Sequence, residues 1–111
     1  MNDDFITQIE GIFKESIEIV KRKNPDYSDD SDPLKNFKAA SIIDLNVPQA
    51  IMARVVEKIF RVKNVIQEGH ISQVQDEKAE DSLKDAINLM AFIVYYLRQH
   101  ESDKKTIPFD D

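Results

Sequence analysis

Apolar residues recur at the helical period in four stretches of this chain. Phe5, Ile9, Ile12, Phe13, Ile19 and Val20 form one side of a first helix, expected from Asp3 or Asp4 to Lys23. Acidic residues open it and Lys21, Arg22 and Lys23 close it, as the helix dipole favours. Asn24-Pro25 is the expected stop, and residues 24–33 read as a polar loop. Asp32 as cap and Pro33 at the first helical position then predict a short second helix. It extends over Leu34 to about Ser41, with Leu34, Phe37 and Ala40 or Ser41 on one side. After a break at Asp44 to Pro48, a third helix is expected from Asn46 or Val47 to Gly69. Ile51, Val55, Ile59, Val62, Val65 and Ile66 make its apolar face. A connection around His70 to Asp76 leads to a fourth helix, from about Glu77 to His100.

The fourth helix has two patterns. Leu83, Ile87, Met90, Val94 and Leu97 form its main stripe, while the opposite side reads Asp81, Asp85, Asn88, Phe92 and Tyr96. Its N-terminal half is amphipathic, and its C-terminal half is apolar all round and needs cover on every side. A homodimer or higher homo-oligomer built on this helix is therefore expected, with Phe92, Ile93, Tyr95 and Tyr96 at the boundary. The alternative is cover from the first helix and the tail within one chain. The whole predicts an all-α fold, a helical bundle of three long helices and one short helix. It forms a single domain over residues 1–101, with a polar tail over 102–111.

Composition narrows the functions. Only two glycines and four prolines interrupt 111 residues, which favours long helices over a many-turned β fold. A net charge of −6 argues against duplex DNA as partner, because phosphate neutralisation supplies most non-specific affinity. Without cysteine, disulfides, thiolate metal sites and cysteine nucleophiles are excluded. Two distant histidines, His70 and His100, do not make a zinc site. The acidic start lacks the basic region of a signal peptide, and the longest apolar run, Leu89 to Leu97, is too short for a bilayer. A cytoplasmic protein without a membrane partner is the expectation.

Two polar stripes hold the candidate chemistry. Arg54, Lys58 and Arg61 follow one another at helical spacing on the third helix, and Asp81, Asp85 and Asn88 do so on the fourth. Lys58 interrupts the apolar stripe between Val55 and Val62, where a lysine either snorkels or meets an anion. In an antiparallel hairpin Arg61 is expected level with Lys84 and Asp85, and Glu57 level with Asn88. One reading is a structural network of ion pairs. The other is a nucleotide site, with Lys58 and Arg61 on phosphate and Glu57, Asp81 and Asp85, joined by Glu77, holding Mg2+ through oxygen ligands. Tyr27 and Phe37 could supply aromatic faces for a base. No glycine-rich phosphate loop, serine elbow or His–Glu metalloprotease motif is present.

The strings Asp26-Tyr27-Ser28, Asp32-Pro33-Leu34-Lys35-Asn36-Phe37, Lys58-Ile59-Phe60-Arg61 and Glu80-Asp81-Ser82-Leu83-Lys84-Asp85-Ala86-Ile87-Asn88 carry a resemblance. Over residues 20–98 the chain resembles phage-type nucleotide-modification-associated proteins of the MazG-like, all-α nucleotide pyrophosphohydrolase group. The resemblance implies an oligomeric helical fold that binds nucleoside phosphates with magnesium and, in some members, cleaves triphosphates. It implies roles for Glu57, Asp81 and Asp85 at the metal and in catalysis, and for Lys58, Arg61, Asn88, Tyr27, Asn36 and Phe37 around the nucleotide. The chain departs from the group's two carboxylate pairs. Glu57 is followed three residues later by Phe60 and then Arg61, and Asp81 and Asp85 are four apart.

Three functions compete on this reading. They are a magnesium-dependent nucleoside triphosphate pyrophosphohydrolase, a non-catalytic binder that sequesters a nucleotide such as a defence signal, and a helical interaction or regulatory protein.

Overall fold

A computed structural model describes residues 2–27, 32–67 and 73–100, with side chains over 2–23, 32–67 and 78–100. Among the described residues every regular element is helical. Helix α1 spans Asp3–Tyr27, a 3₁₀ helix spans Lys35–Ile43, α2 spans Val47–Gln67 and α3 spans Gln73–Gln99.

Local capping explains most boundaries. The Asn2 side-chain oxygen accepts the backbone N–H of Asp4 at 2.7 Å and of Phe5 at 3.4 Å, which starts α1. At the other end α1 continues through Pro25 to Tyr27, one turn beyond the expected stop. Pro25 withholds its N–H and its ring crowds the carbonyl four residues back, but its fixed φ is helical, and the helix ends at Tyr27, within a turn of it. Lys21, Arg22 and Lys23 therefore precede the last turn, which contains no basic residue.

Asp32 does not cap the second helix as expected. A turn follows it, and a 3₁₀ helix with Leu34 as N-cap and no side-chain cap bond forms where the sequence predicts a short helix from Pro33 to about Ser41. The Asp32 carboxylate accepts the Leu34 N–H at 3.3 Å, and its carbonyl accepts the Lys35 N–H at 3.2 Å. The apolar spacing Leu34, Phe37, Ala40 is three residues, the 3₁₀ period, and the first is buried with the other two half-buried. Asp44, in the left-handed region at φ 61°, ends the element, and its N–H reaches the Ala40 and Ser41 carbonyls.

Helix α2 opens with a reciprocal cap. Asn46 Oδ1 accepts the Gln49 N–H at 2.9 Å, and Gln49 Oε1 accepts the Asn46 N–H at 3.0 Å. Pro48 falls inside the first turn, where its missing donor costs nothing. The expected end at Gly69, residues 70–72 of the expected connection and the tail over 102–111 lie outside the described residues. Residues 73–76, expected in that connection, already belong to α3, which begins at Gln73 rather than near Glu77 because no glycine or proline interrupts this stretch.

Helices α2 and α3 run antiparallel and form the main contact, α1 lies along α3, and the 3₁₀ helix packs on α2. Leu34, Val47, Ile51, Val55, Ala86, Leu89 and Tyr96 make the buried core, with Phe37, Phe92 and Ile93 packed against it. Phe92, Ile93 and Tyr96, expected at a subunit boundary, thus contribute to the core of their own chain, while Tyr95 is 44 % exposed.

The inward face of α3 differs from the expected stripe. Ser82, Ala86, Leu89 and Tyr96 are buried, each one residue before a predicted position, and Ala79, one turn earlier, is buried with them. Leu83, Met90, Val94 and Leu97 remain 41 to 47 % exposed. One residue is a rotation of about 100° around the helix axis. Small side chains face inward on α3 because they admit close approach of α2 and α1, and the bulkier aliphatic stripe turns outward. On α2, likewise, Lys58 occupies the inward position while Ile59 and Ile66 are 46 % and 60 % exposed. No single helix among the described residues is long and apolar enough to cross a membrane.

Candidate functional site

The two polar stripes meet, in a register close to one turn from the expected one. Lys58 Nζ lies 3.0 Å from Asp85 Oδ2, and both side chains are largely covered, at 15 % and 27 % exposure. Lys58, rather than Arg61, is therefore level with Asp85. The axial register follows the core, where Val55 shares the buried cluster with Ala86 and Leu89.

Beyond this pair α2 and α3 enclose a cavity of about 380 Å³ lined by Lys58, Arg61, Val65, Lys78, Ala79, Asp81, Ser82 and Asp85. Lys58 and Asp85 neutralise each other. Arg61 and Lys78 then face the cavity with Asp81, and neither cation forms an ion pair with another described residue. On the other side of the pair is a narrow waist of about 60 Å³, where Lys58 and Asp85 meet Arg54, Asn88 and Phe92. Asn88 and Phe92 also line a third cavity of about 290 Å³, with Asn36, Phe37, Ile17 and Tyr95. The Phe37 and Phe92 rings lie 6.4 Å apart at 58°, a tilted aromatic pair. The three cavities thus adjoin through shared lining residues, the charged chamber between α2 and α3 and the aromatic one between α1, the 3₁₀ helix and α3.

Lys58, Arg61, Asp81 and Asp85 come together in the charged chamber, and Asn36, Phe37 and Asn88 at the aromatic end. Asn88 also has a structural role, since its Nδ2 donates to the Ser16 carbonyl at 2.9 Å and ties α1 to α3. Glu57 is not part of the site. It lies on the exposed side of α2, 3.8 Å from Arg54 Nε. Tyr27 ends α1, and its side chain, like that of Glu77, lies outside the described residues.

Of the expected magnesium ligands, the chamber contains Asp81 and Asp85, Glu57 faces away, and the Glu77 side chain lies outside the described residues. Octahedral coordination by protein needs converging oxygens, and here Asp85 is engaged by Lys58 while Asp81 shares its chamber with Arg61 and Lys78. Among the described residues no group of three acidic or histidine side chains converges.

Two residues were missed in the sequence. Lys78 lines the charged chamber one turn before Asp81, and its spacing from Asp81 and Asp85 was the available signal. Lys84, 12 % exposed, bridges Glu15 of α1 at 2.8 Å and Glu80 at 3.1 Å. Its hydrogen bond to Glu15, then that to Glu80, raises its pKa above the ordinary 10.5. Only the i, i+4 spacing to Glu80 was legible, because Glu15 belongs to another helix.

Larger clefts have less convergent chemistry. One of about 590 Å³ lies between the 3₁₀ helix and the end of α3. Its polar side chains serve one another: Asp32 pairs with Lys38, and the His100 ring stacks on Tyr96 at 4.2 Å. Compared with family models, curated proteins and solved structures, the chain matches none.

Proposed function

We propose that the protein binds a nucleoside phosphate across the charged cavity between α2 and α3 and the aromatic cavity between α1, the 3₁₀ helix and α3, and holds it without turnover. The observation that supports this reading is the succession of a charged cavity, a narrow waist and an aromatic cavity that adjoin through shared lining residues. A nucleotide has the same division, anionic at one end and a flat, weakly polar base at the other. In this reading Arg61 and Lys78 take phosphate oxygens through charge-assisted hydrogen bonds, where Arg61 offers a planar fork. Phe37 and Phe92 give the base an apolar wall, and aromatic contacts of this kind tolerate any base. The Lys58–Asp85 pair spans the waist and keeps α2 and α3 at the separation the ligand requires.

The incomplete carboxylate set favours binding over hydrolysis. Metal-assisted attack on a phosphoryl group requires a held ion to polarise oxygen and activate water. The resemblance to MazG-like proteins supports the ligand class and leaves turnover to experiment. Calorimetric titration with the common nucleoside mono-, di- and triphosphates, with magnesium and with chelator, decides the matter when product release is followed in parallel. Binding that survives chelation, with no pyrophosphate or phosphate released, is the expected result. Absence of binding would reject the site, and magnesium-dependent release of pyrophosphate would replace sequestration by hydrolysis.

A further inference from the structure

We infer that the groove between α1 and α3 is a self-association surface, filled by α1 of a second copy of this chain lying antiparallel across Phe13. The groove has a volume of about 770 Å³ and is lined by Phe13, Ile17, Ile87, Met90, Ala91 and Val94, with Lys14 at its edge. By helical spacing Ile6 shares the face of Phe13 on α1, and Leu83 and Leu97 share the stripe of Met90 and Val94 on α3; the three are 41 to 45 % exposed. On α1, Ile6, Phe13 and Ile17 project to one flank of the strip that touches α3, where Ser16 is buried. On α3 the exposed stripe is the one rotated outward when the smaller residues took the inside.

Area, shape and charge each point to a second copy. Seven large side chains, each exposing close to half of roughly 150–200 Å², present roughly 600 Å² of apolar surface. At the apolar share of about 65 % found in homodimer interfaces, complete burial of this surface corresponds to about 900 Å² per partner, about three fifths of it from the groove's own Phe13, Ile17, Met90 and Val94, against the ~800 Å² of a standard interface. The surface supplies both members of a fit. Phe13, the most exposed of the α1 side chains in the groove at 57 %, can enter the partner's groove between Ile17 and Met90. A two-fold axis makes that insertion reciprocal.

The charges of α1 choose the orientation. Asp3, Asp4 and Glu10 make its first half negative, while Lys21, Arg22 and Lys23 close its second half, where Glu18 pairs with Lys21 and Glu15 with Lys84 of α3. Asp3, Asp4, Glu10 and the three basic residues are all exposed. Phe13 lies midway between Asp3 and Lys23. Two α1 helices crossing antiparallel at Phe13 bring each acidic end to the partner's basic end, oppose the two helix dipoles and set Glu10 against the partner's Lys14. A parallel arrangement would oppose like charges along the whole length. The exposed residues Met52, Val56 and Phe60 of α2 lie along a single helix, without a second wall.

Sedimentation velocity on the full chain across a concentration series tests this. A dimer at micromolar concentration is expected, and Phe13→Glu should raise its dissociation constant at least about a hundredfold, because two carboxylates would be buried at the axis. Helical circular dichroism should be retained, since Phe13 is largely exposed within one chain. Should that variant fail to fold, charge exchange tests the same geometry: Glu10→Lys alone weakens the dimer by about tenfold, and Glu10→Lys with Lys14→Glu restores it. A monomeric wild-type chain, a dimer indifferent to Phe13→Glu, or a charge exchange without restoration would each overturn the assignment.

Discussion

The two ends of the α2/α3 seam are built on opposite principles. At one end Val47, Ile51, Val55, Leu89 and Tyr96 close on one another with Leu34 beneath the 3₁₀ helix, and Ile51 is wholly buried. At the other end Ala79 and Ser82 on α3 leave room, and the space is lined by Lys58, Arg61, Lys78, Asp81 and Asp85. The apolar end holds the helices in register through dispersion and burial. The charged end contributes little cohesion, so its side chains are available to a ligand. A residue's effect on melting and its effect on binding should therefore separate along the seam.

The largest effect should come from the apolar end. Ile51→Ala leaves a cavity in the fully buried position and should lower stability by about 2–5 kcal/mol in chemical denaturation. A loss below that range would mean that the seam is held elsewhere and that the contrast is wrong. At the charged end Arg61→Ala should leave the melting curve almost unchanged and weaken nucleotide binding by about 1.5–3 kcal/mol in calorimetric titration. Unaltered affinity would remove Arg61 from the ligand site.

The residue at the junction should show both effects. Asp85→Asn keeps the shape and takes the counter-charge from Lys58, which is largely covered, so stability should fall by about 1–2 kcal/mol. Binding should change little if Asp85 only holds Lys58 in place. A complete loss of ligand with no loss of stability would instead make Asp85 a direct ligand contact.

The smallest effect concerns Lys84 and high pH. Its folded pKa is raised above 10.5, chiefly by the Glu15 hydrogen bond and then by that of Glu80. The associated stability is present in full below the unfolded value and disappears as pH rises through the higher folded value. Both glutamates are more than half exposed, so the contribution should be below about 1 kcal/mol. Wild-type protein should lose this increment above pH 10.5 relative to Lys84→Met, as seen by paired thermal melts. Parallel melting of the two proteins across that range would show that Lys84 does not tie α1 to α3.

The legibility of the site divides in the same way. Lys58 stood out in the sequence because it breaks an apolar stripe, and it is at the centre of the seam. Asp81 and Asp85 stood out by spacing, and both line the charged chamber. Glu57 shared the helix and the charge expected of a metal ligand, yet it faces outward beside Arg54. Adjacent residues on a helix point about 100° apart, so Glu57 and Lys58 cannot both face α3, and only packing decides between them.

Periodicity, breakers and caps were sufficient to determine that the described chain is helical and which polar residues share a helix face, and they placed the element ends only to within about a turn. These are local properties, set by the 3.6-residue repeat and by side chains that bond their own backbone. Tertiary structure alone decided three things. It chose the inward side of α3, whose C-terminal half is apolar all round and so carries no azimuth of its own. It paired Lys58 with Asp85 through the axial register of a core made from three elements. It joined Lys84 to Glu15, two residues on helices far apart in the chain. Each depends on how separately formed helices fit together, and side-chain volumes in the closed core determine that fit.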